Sequence, residues 1–360
     1  MEHVEAFVRD GVVVVPGVLS AETVAQVRAA YHATLLEYGV DAKDLDGTAC
    51  NVAALSSTGG SGGVLDLFYE PWKLALVEHA GIVRVLQTLW THTYATNGAP
   101  FEHPFGEFDP QRALAYVDRT CFRLPERVNA KRTKEGEEGF RKGSADSPSS
   151  SSSSSSSSCV PPAPQTKKTK KKKKLQRSLT PHLDCCPQRL FDSDSSVPKW
   201  RPIQAFVALT DTLLPNQGGF EACPGMHRDF QKWAQRRRPS PHAMEPPCKG
   251  DFTPIRPQED RDILDRMTHI AVAAGDVCLW DYRLAHGNAW ENTNDSAREA
   301  VYVGLLPHTA MNEAYAACQL ECYKRGSPPT DQWHESDRTY SPSGYSFSVL
   351  GRKLMAMESW

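Results

Sequence analysis

With 360 residues, 40% of them hydrophobic, and a formal net charge of −2, the chain has the apolar content of a globular protein and ample length for a buried core. No run approaches the roughly 20 apolar residues of a membrane span, and no charged segment leads into an apolar one at the N-terminus, so neither a membrane span nor secretion is expected. Ten cysteines in a chain so read are expected to be reduced thiols of an intracellular, cytoplasmic protein.

The N-terminal residues 7–20 read as an opening strand that ends at Val15, then a Pro16-Gly17 turn. A helix is expected over residues 21–38. Ser20 suits its N-cap, and Val24, Val27, Tyr31 and Leu35 recur on one face at helical spacing. A Gly/Ser loop at residues 56–63 precedes further helix over residues 71–90, interrupted near Gly81. From Tyr116 onward, short β-rich runs separated by Gly, Pro and Asn turns dominate, which predicts an α+β chain whose core is a jelly-roll sandwich with N-terminal helices packed on it. The expectation is a single domain over residues 1–360.

Residues 126–178 break that pattern. Ten serines from Ser149 to Ser158, a Pro-rich patch and seven lysines in the eight residues from Lys167 to Lys174 offer too little apolar surface to offset the entropy of ordering, so a disordered loop insertion is expected. Fourteen Lys/Arg against five Asp/Glu give this insertion a net +9 and leave −11 on the remainder. The lysine run supports an alternative function class, a nuclear or polyanion-binding protein acting through counterion release. No aromatic residue interleaves with the lysines, which disfavours single-strand binding.

Directly after the insertion stands His182-Leu183-Asp184, and His286 follows about a hundred residues later within the run Gly275 to Gly287. On a strand, alternate side chains share a face, so His182 and Asp184 would converge while Leu183 turns into the packing. Two histidines and one carboxylate are the facial triad of non-haem iron(II) oxygenases, which leaves the opposite coordination positions free. Zinc is the weaker reading. Cys185-Cys186 lacks the two-residue gap of zinc knuckles, and Cys318 with Cys322 stands isolated.

The triad, the Gly/Pro turn from Gly218 to His227, Arg298 and the opening residues 7–20 together resemble the phytanoyl-CoA dioxygenase family of iron(II)/2-oxoglutarate enzymes, and the matches span most of the chain outside the insertion. That resemblance implies a double-stranded β-helix and O2-dependent hydroxylation of a small molecule, with 2-oxoglutarate consumed and succinate and CO2 released. It implies His182, Asp184 and His286 as metal ligands and Arg298 as the clamp on the distal carboxylate of 2-oxoglutarate. Arg suits that role because its planar guanidinium grips both oxygens. Trp200 matches a position lining the co-substrate pocket, and Asn288 stands where the family often has a serine. An intact carboxylate at Asp184 argues against halogenation, since related halogenases have a small residue there.

Other residues are read from local pattern. Gln204 shares one face of an alternating strand with Phe206 and Ala208, a face that can look into the barrel. Arg123 is read as finishing a surface strand in preference to binding an anionic substrate group, and His227 as a turn or hydrogen-bonding residue. Residues 236–257 read as a lid over the pocket or as a surface excursion. A non-catalytic binding module on the same fold is the remaining alternative.

Overall fold

Four consecutive valines, Val12 to Val15, favour an extended strand because branching at Cβ restricts χ1 and suits a pleated surface. In the computed structural model, which describes residues 1–130, 174–187, 190, 198–237, 251–329, 339–341 and 344–360, they form β1 (Val12–Val15) at one edge of a seven-stranded antiparallel sheet. From β1 the sheet continues through β10 (Val277–Asp281), β6 (Ile203–Ala208), β12 (Arg298–Pro307), β4 (Thr120–Arg123) and β2 (Val64–Leu65). β3 (Ala113–Tyr116) also pairs with β12. A five-stranded antiparallel sheet runs β8 (Thr253–Pro254), β5 (His182–Leu183), β11 (His286–Asn288), β7 (Phe220–Ala222) and β9 (Thr268–His269). The two sheets meet through aromatic side chains. Phe220 of the smaller sheet lies 5.5 Å from Phe206 and 4.8 Å from Trp280 of the larger, ring centre to ring centre.

The fold is thus a mixture of α and β with antiparallel sheets, and helices both precede β3 and lie among and after the later strands. Helix α2 (Ala21–Glu37) begins as its sequence predicts: the Ser20 hydroxyl accepts the Thr23 N–H at 3.1 Å, and Val24, Val27, Tyr31 and Leu35 are its buried residues. Such a cap stabilises by about 1 kcal/mol relative to alanine. Residues 71–90 divide into helices Pro71–Val77 and Ala80–Thr93, with the break at Glu78-His79 and not at Gly81.

Residues 7–10 do not open a strand. They end a helix, α1 (Glu2–Asp10), because Val4 and Phe7 bury one helical face and Gly11, at φ 71°, closes it with its N–H on the Phe7 carbonyl at 2.7 Å. The helix Ala310–Arg325, capped by Thr309, follows the last strand and had no counterpart in the expected order.

Residues 131–173, which hold the serine run and all the lysines of the basic run except Lys174, lie outside the described residues. The two ends of the expected insertion are described and are tied together. Gln176 is buried, accepts the Leu124 N–H and donates to the Phe122 carbonyl, each at 2.8 Å, while its own N–H reaches Asn129 Oδ1 at 2.7 Å. Lys174 pairs with Glu126 at 2.5 Å. Seven of the described cysteines, Cys185 among them, are free. Among the described residues no helix is long and apolar enough to cross a membrane.

Candidate metal centre

His182 and His286 face each other across the β5–β11 pair as direct register partners. Their rings are 4.5 Å apart, centre to centre. Each Nδ1 is engaged by a backbone carbonyl two residues earlier, Thr180 at 2.8 Å for His182 and Leu284 at 3.0 Å for His286. The carbonyls fix both tautomers and leave both Nε2 atoms as acceptors. Asp184 lies just past the end of β5, with Oδ1 3.4 Å from His182 Nε2 and Oδ2 3.4 Å from His286 Nε2. The three ligand atoms lie within 4.8 Å of one another.

The electrostatics of the cluster follow from proximity. Burial pushes the Asp184 carboxyl up, but the two imidazoles outweigh it and hold the group well below the usual carboxylate range. His182 is raised: burial opposes its charge, and Asp184 more than offsets that. His286 is lowered, by burial first and then by His182. A single carboxylate with two imidazoles, one of them disfavouring its proton, is a donor set that fits a divalent first-row metal. Phe252 stacks on His182 at 4.9 Å and Trp280 stands 5.1 Å from His286, so apolar rings flank the cluster.

The cluster opens on a cavity of about 400 Å³. Gln204, Trp280, Asn288 and Tyr302 line its buried side. Gln204 Nε2 and Trp280 Nε1 are buried donors without an acceptor among the described residues, and so is Arg298 Nη2. Buried donors normally have a partner, because leaving one unmade costs about 1–3 kcal/mol. Arg298 does not itself line the cavity. Its Nη1 donates to Asn288 Oδ1 at 3.3 Å, and its guanidinium rests 5.0 Å above the Phe206 ring. Asn288 Nδ2 in turn donates to the Gly62 carbonyl at 3.3 Å, so a residue of the cavity wall holds the arginine from in front. Three unsatisfied donors beside the triad fit a carboxylate-bearing ligand.

Not every expected residue joins the site. Trp200 is absent from the cavity wall; it packs in an aromatic cluster, 4.2 Å from the His103 ring and 4.8 Å from Phe105, because its buried surface is better matched by rings than by a polar pocket. Arg123 is buried instead of closing a surface strand, and donates to the carbonyls of Arg177 and Trp290 at 2.8 and 2.9 Å. His227 is a hydrogen-bonding residue, with Nε2 3.1 Å from the Val8 carbonyl. Cys185 is buried, and burial pushes its thiol pKa well above the ordinary value. Of the proposed lid, residues 238–250 lie outside the described residues, while Asp251 and Phe252 line the cavity.

Sequence reasoning missed Arg201. Its Nη1 meets Asp118 Oδ2 at 2.9 Å, its Nη2 lies 3.9 Å from Asp184 Oδ2, and its guanidinium lies 4.1 Å from the Tyr116 ring centre. Burial works against its charge, but Tyr116, Asp118 and Asp184 hold its pKa above the ordinary value. No local pattern marks it. Its partners come from β3, the β3–β4 turn and the residue after β5.

A family model described as Gig2-like matches residues 182–344, a span that contains the whole triad. The hypothetical protein JW0805 from Escherichia coli is similar in structure, with a TM-score of 0.61 at 16% identity, over 99% of this chain and 81% of that one. GlcNAc inducible gene 2 (GIG2, DUF1479) from Candida albicans gives 0.63 at 12% identity, over 99% and 76%. A candidate oxidoreductase from Salmonella typhimurium LT2 gives 0.61 at 15%, over 97% and 81%. No curated protein matches the chain significantly. These matches overturn the phytanoyl-CoA dioxygenase resemblance. The residues that carried it, a His-x-Asp, a distal His and a Gly/Pro turn, answer to the needs of a metal and a sheet, and those needs are common to many families.

Proposed function

We propose that the chain is an Fe(II)- and 2-oxoglutarate-dependent oxygenase acting on a small molecule, its two sheets forming a cupin-like double-stranded β-helix. The observation that carries this reading is the joint presence of a His-Asp-His cluster and two buried donors lacking an acceptor around one cavity, with a third, Arg298 Nη2, one side chain behind its wall. His182, Asp184 and His286 would hold the iron. Arg298, through the Nη2 that now has no partner, would take the distal carboxylate of 2-oxoglutarate. Gln204 would offer its unpaired amide to the same co-substrate, and Asn288 would keep the guanidinium oriented. When bound, the metal and keto acid supply an O2-dependent oxidation of a substrate C–H with release of succinate and CO2. The chain's own part is to set tautomers, to neutralise the co-substrate's charge in a buried place and to exclude water with Phe220, Phe252 and Trp280. The likeness to the Salmonella protein is a likeness of fold and adds no chemistry of its own.

The test is anaerobic addition of iron(II) and 2-oxoglutarate to the purified chain, followed by O2. A visible charge-transfer band and then iron-dependent succinate release are expected. Metal binding with neither the band nor succinate would reject the co-substrate and keep only the metal site.

A further inference from the structure

The cavity has a buried wall and a half-exposed rim, and the rim differs sharply from the wall in chemistry. Its apolar members are few: Val64, Leu179 and Phe252. The buried Tyr116 ring of the wall is covered by cations of the rim, Arg201 at 4.1 Å and Lys199 at 5.6 Å from its centre. Four cationic side chains line this part of the cavity, Arg119, Arg177, Lys199 and Arg201. Three have dedicated carboxylates: Arg119 meets Asp66 at 2.6 Å, Lys199 meets Asp251 at 2.6 Å, and Arg201 meets Asp118 at 2.9 Å. The guanidinium of Arg177 has no ion-pair or hydrogen-bond partner among the described residues, and it is exposed.

The backbone that carries Arg177 is nevertheless fixed. Its carbonyl accepts from Gly62 N–H and from Arg123 Nη1, each at 2.8 Å, and its neighbour Gln176 is buried with four hydrogen bonds. A free cation on an anchored backbone at a cavity mouth is arranged for an incoming anion, since little backbone entropy remains to be lost on binding. Hydroxyls of Thr58, Ser61, Ser178 and Thr180 stand on the same rim. A cavity of about 400 Å³ is near the lower end of the roughly 300–1,000 Å³ usual for ligand pockets, and a co-substrate takes part of it.

We infer that the substrate is a small hydrophilic molecule bearing one anionic group, a carboxylate or a phosphate, received by Arg177, and that long apolar chains are excluded. The fate of that molecule rests on the oxygenase reading; its binding does not. A guanidinium on the rim discriminates by charge and a hydroxyl-lined wall by hydrogen bonds, whereas an alkyl chain laid on the same surface would strip water from paired ions without replacing it.

The experiment is equilibrium binding to the iron-free full chain, by thermal shift and by intrinsic tryptophan fluorescence. The probes are lactate, glycerate and glucose 6-phosphate, each beside its neutral counterpart, lactamide, glyceramide and glucose, with palmitate as the apolar probe. At least one anion is expected to bind tenfold or more tighter than its neutral partner, ~1.4 kcal/mol. Arg177→Gln should erase that preference and Arg177→Lys should keep part of it. The proposal fails if no anion is preferred, if palmitate binds as well as the anions, or if the preference persists in Arg177→Gln. Absence of succinate release from the iron-loaded wild type, with the charge preference intact, would instead sink the oxygenase reading and leave the anion site standing.

Discussion

Arg298 and Glu299 are consecutive residues of β12, both buried, and strand geometry sends them to opposite faces. Glu299 meets helix α2, where Arg28 gives it two hydrogen bonds at 2.9 Å and His32 Nε2 lies at 2.9 Å. Arg298 meets the cavity wall and keeps a buried nitrogen with no acceptor. One strand thus carries a charge that the fold satisfies beside one that it leaves wanting. Buried polar groups usually have partners, so the unpartnered Arg298 nitrogen is the reason for the co-substrate role proposed for it.

The contrast breaks most completely at the triad. His182→Ala and Asp184→Ala should each lower iron-dependent succinate release by three orders of magnitude or more, on the order of 4 kcal/mol in transition-state stabilisation, with thermal stability kept. Release in Asp184→Ala near the wild-type rate would remove the carboxylate from the ligand set.

Arg298→Ala comes next. The KM for 2-oxoglutarate should rise about 10- to 100-fold with a smaller fall in kcat, because the interaction is made before and during the reaction alike. Arg298→Lys should not recover it, since an ammonium lacks the fork. Equal KM values in steady-state assays of the three proteins would take the clamp away from this residue.

On the other face of β12 the effect should be on stability alone. Breaking a buried pair costs about 3–5 kcal/mol, and because the Arg28 side chain is 36% exposed the expected loss for Glu299→Gln is smaller, about 1–2 kcal/mol. The Glu299 carboxyl is held below its ordinary value: burial pushes it up, and the hydrogen bonds and charges of Arg28 and His32 pull it down further. A depressed carboxylate contributes stability that is present above its unfolded pKa and lost as pH falls through the folded one. Denaturant melts of wild type should therefore weaken on acidification more steeply than those of Glu299→Gln, and parallel curves would refute the pairing.

A separate effect, seen only at high pH, concerns the fully buried Lys73, whose ammonium donates to the carbonyls of Leu67, Asp118 and Arg119. Burial lowers its pKa from 10.5 to about 8. Between those values the unfolded chain binds more protons than the folded one, so stability should rise with pH across that window. Lys73→Met should flatten the rise in urea melts taken from pH 8 upward.

Much of the His-Asp-His cluster was legible because its logic is local. His182 and Asp184 are separated by one residue, and carbonyls two residues before each histidine set the rings, so short-range spacing carries the information. Helix α2 was legible for the same reason, its cap and buried stripe lying within one segment. Helix α1 was not: a short run containing Val4, Phe7 and Val8 suits either period, and the left-handed Gly11 packed against His227 decides for the helix. Family membership could not be read from the motif, because iron chemistry asks the same residues of unrelated chains.

The amino-acid order alone determined which side chains could ligate a metal and where helix α2 begins. Tertiary structure alone decided that Trp200 belongs to an aromatic core, that Arg298 stands one side chain behind the cavity wall, and that among the described residues Arg177 has no carboxylate while its neighbours on the rim are paired. Whether a buried or clustered charge is satisfied depends on partners tens to hundreds of residues away, and only the folded chain brings those partners within hydrogen-bonding distance.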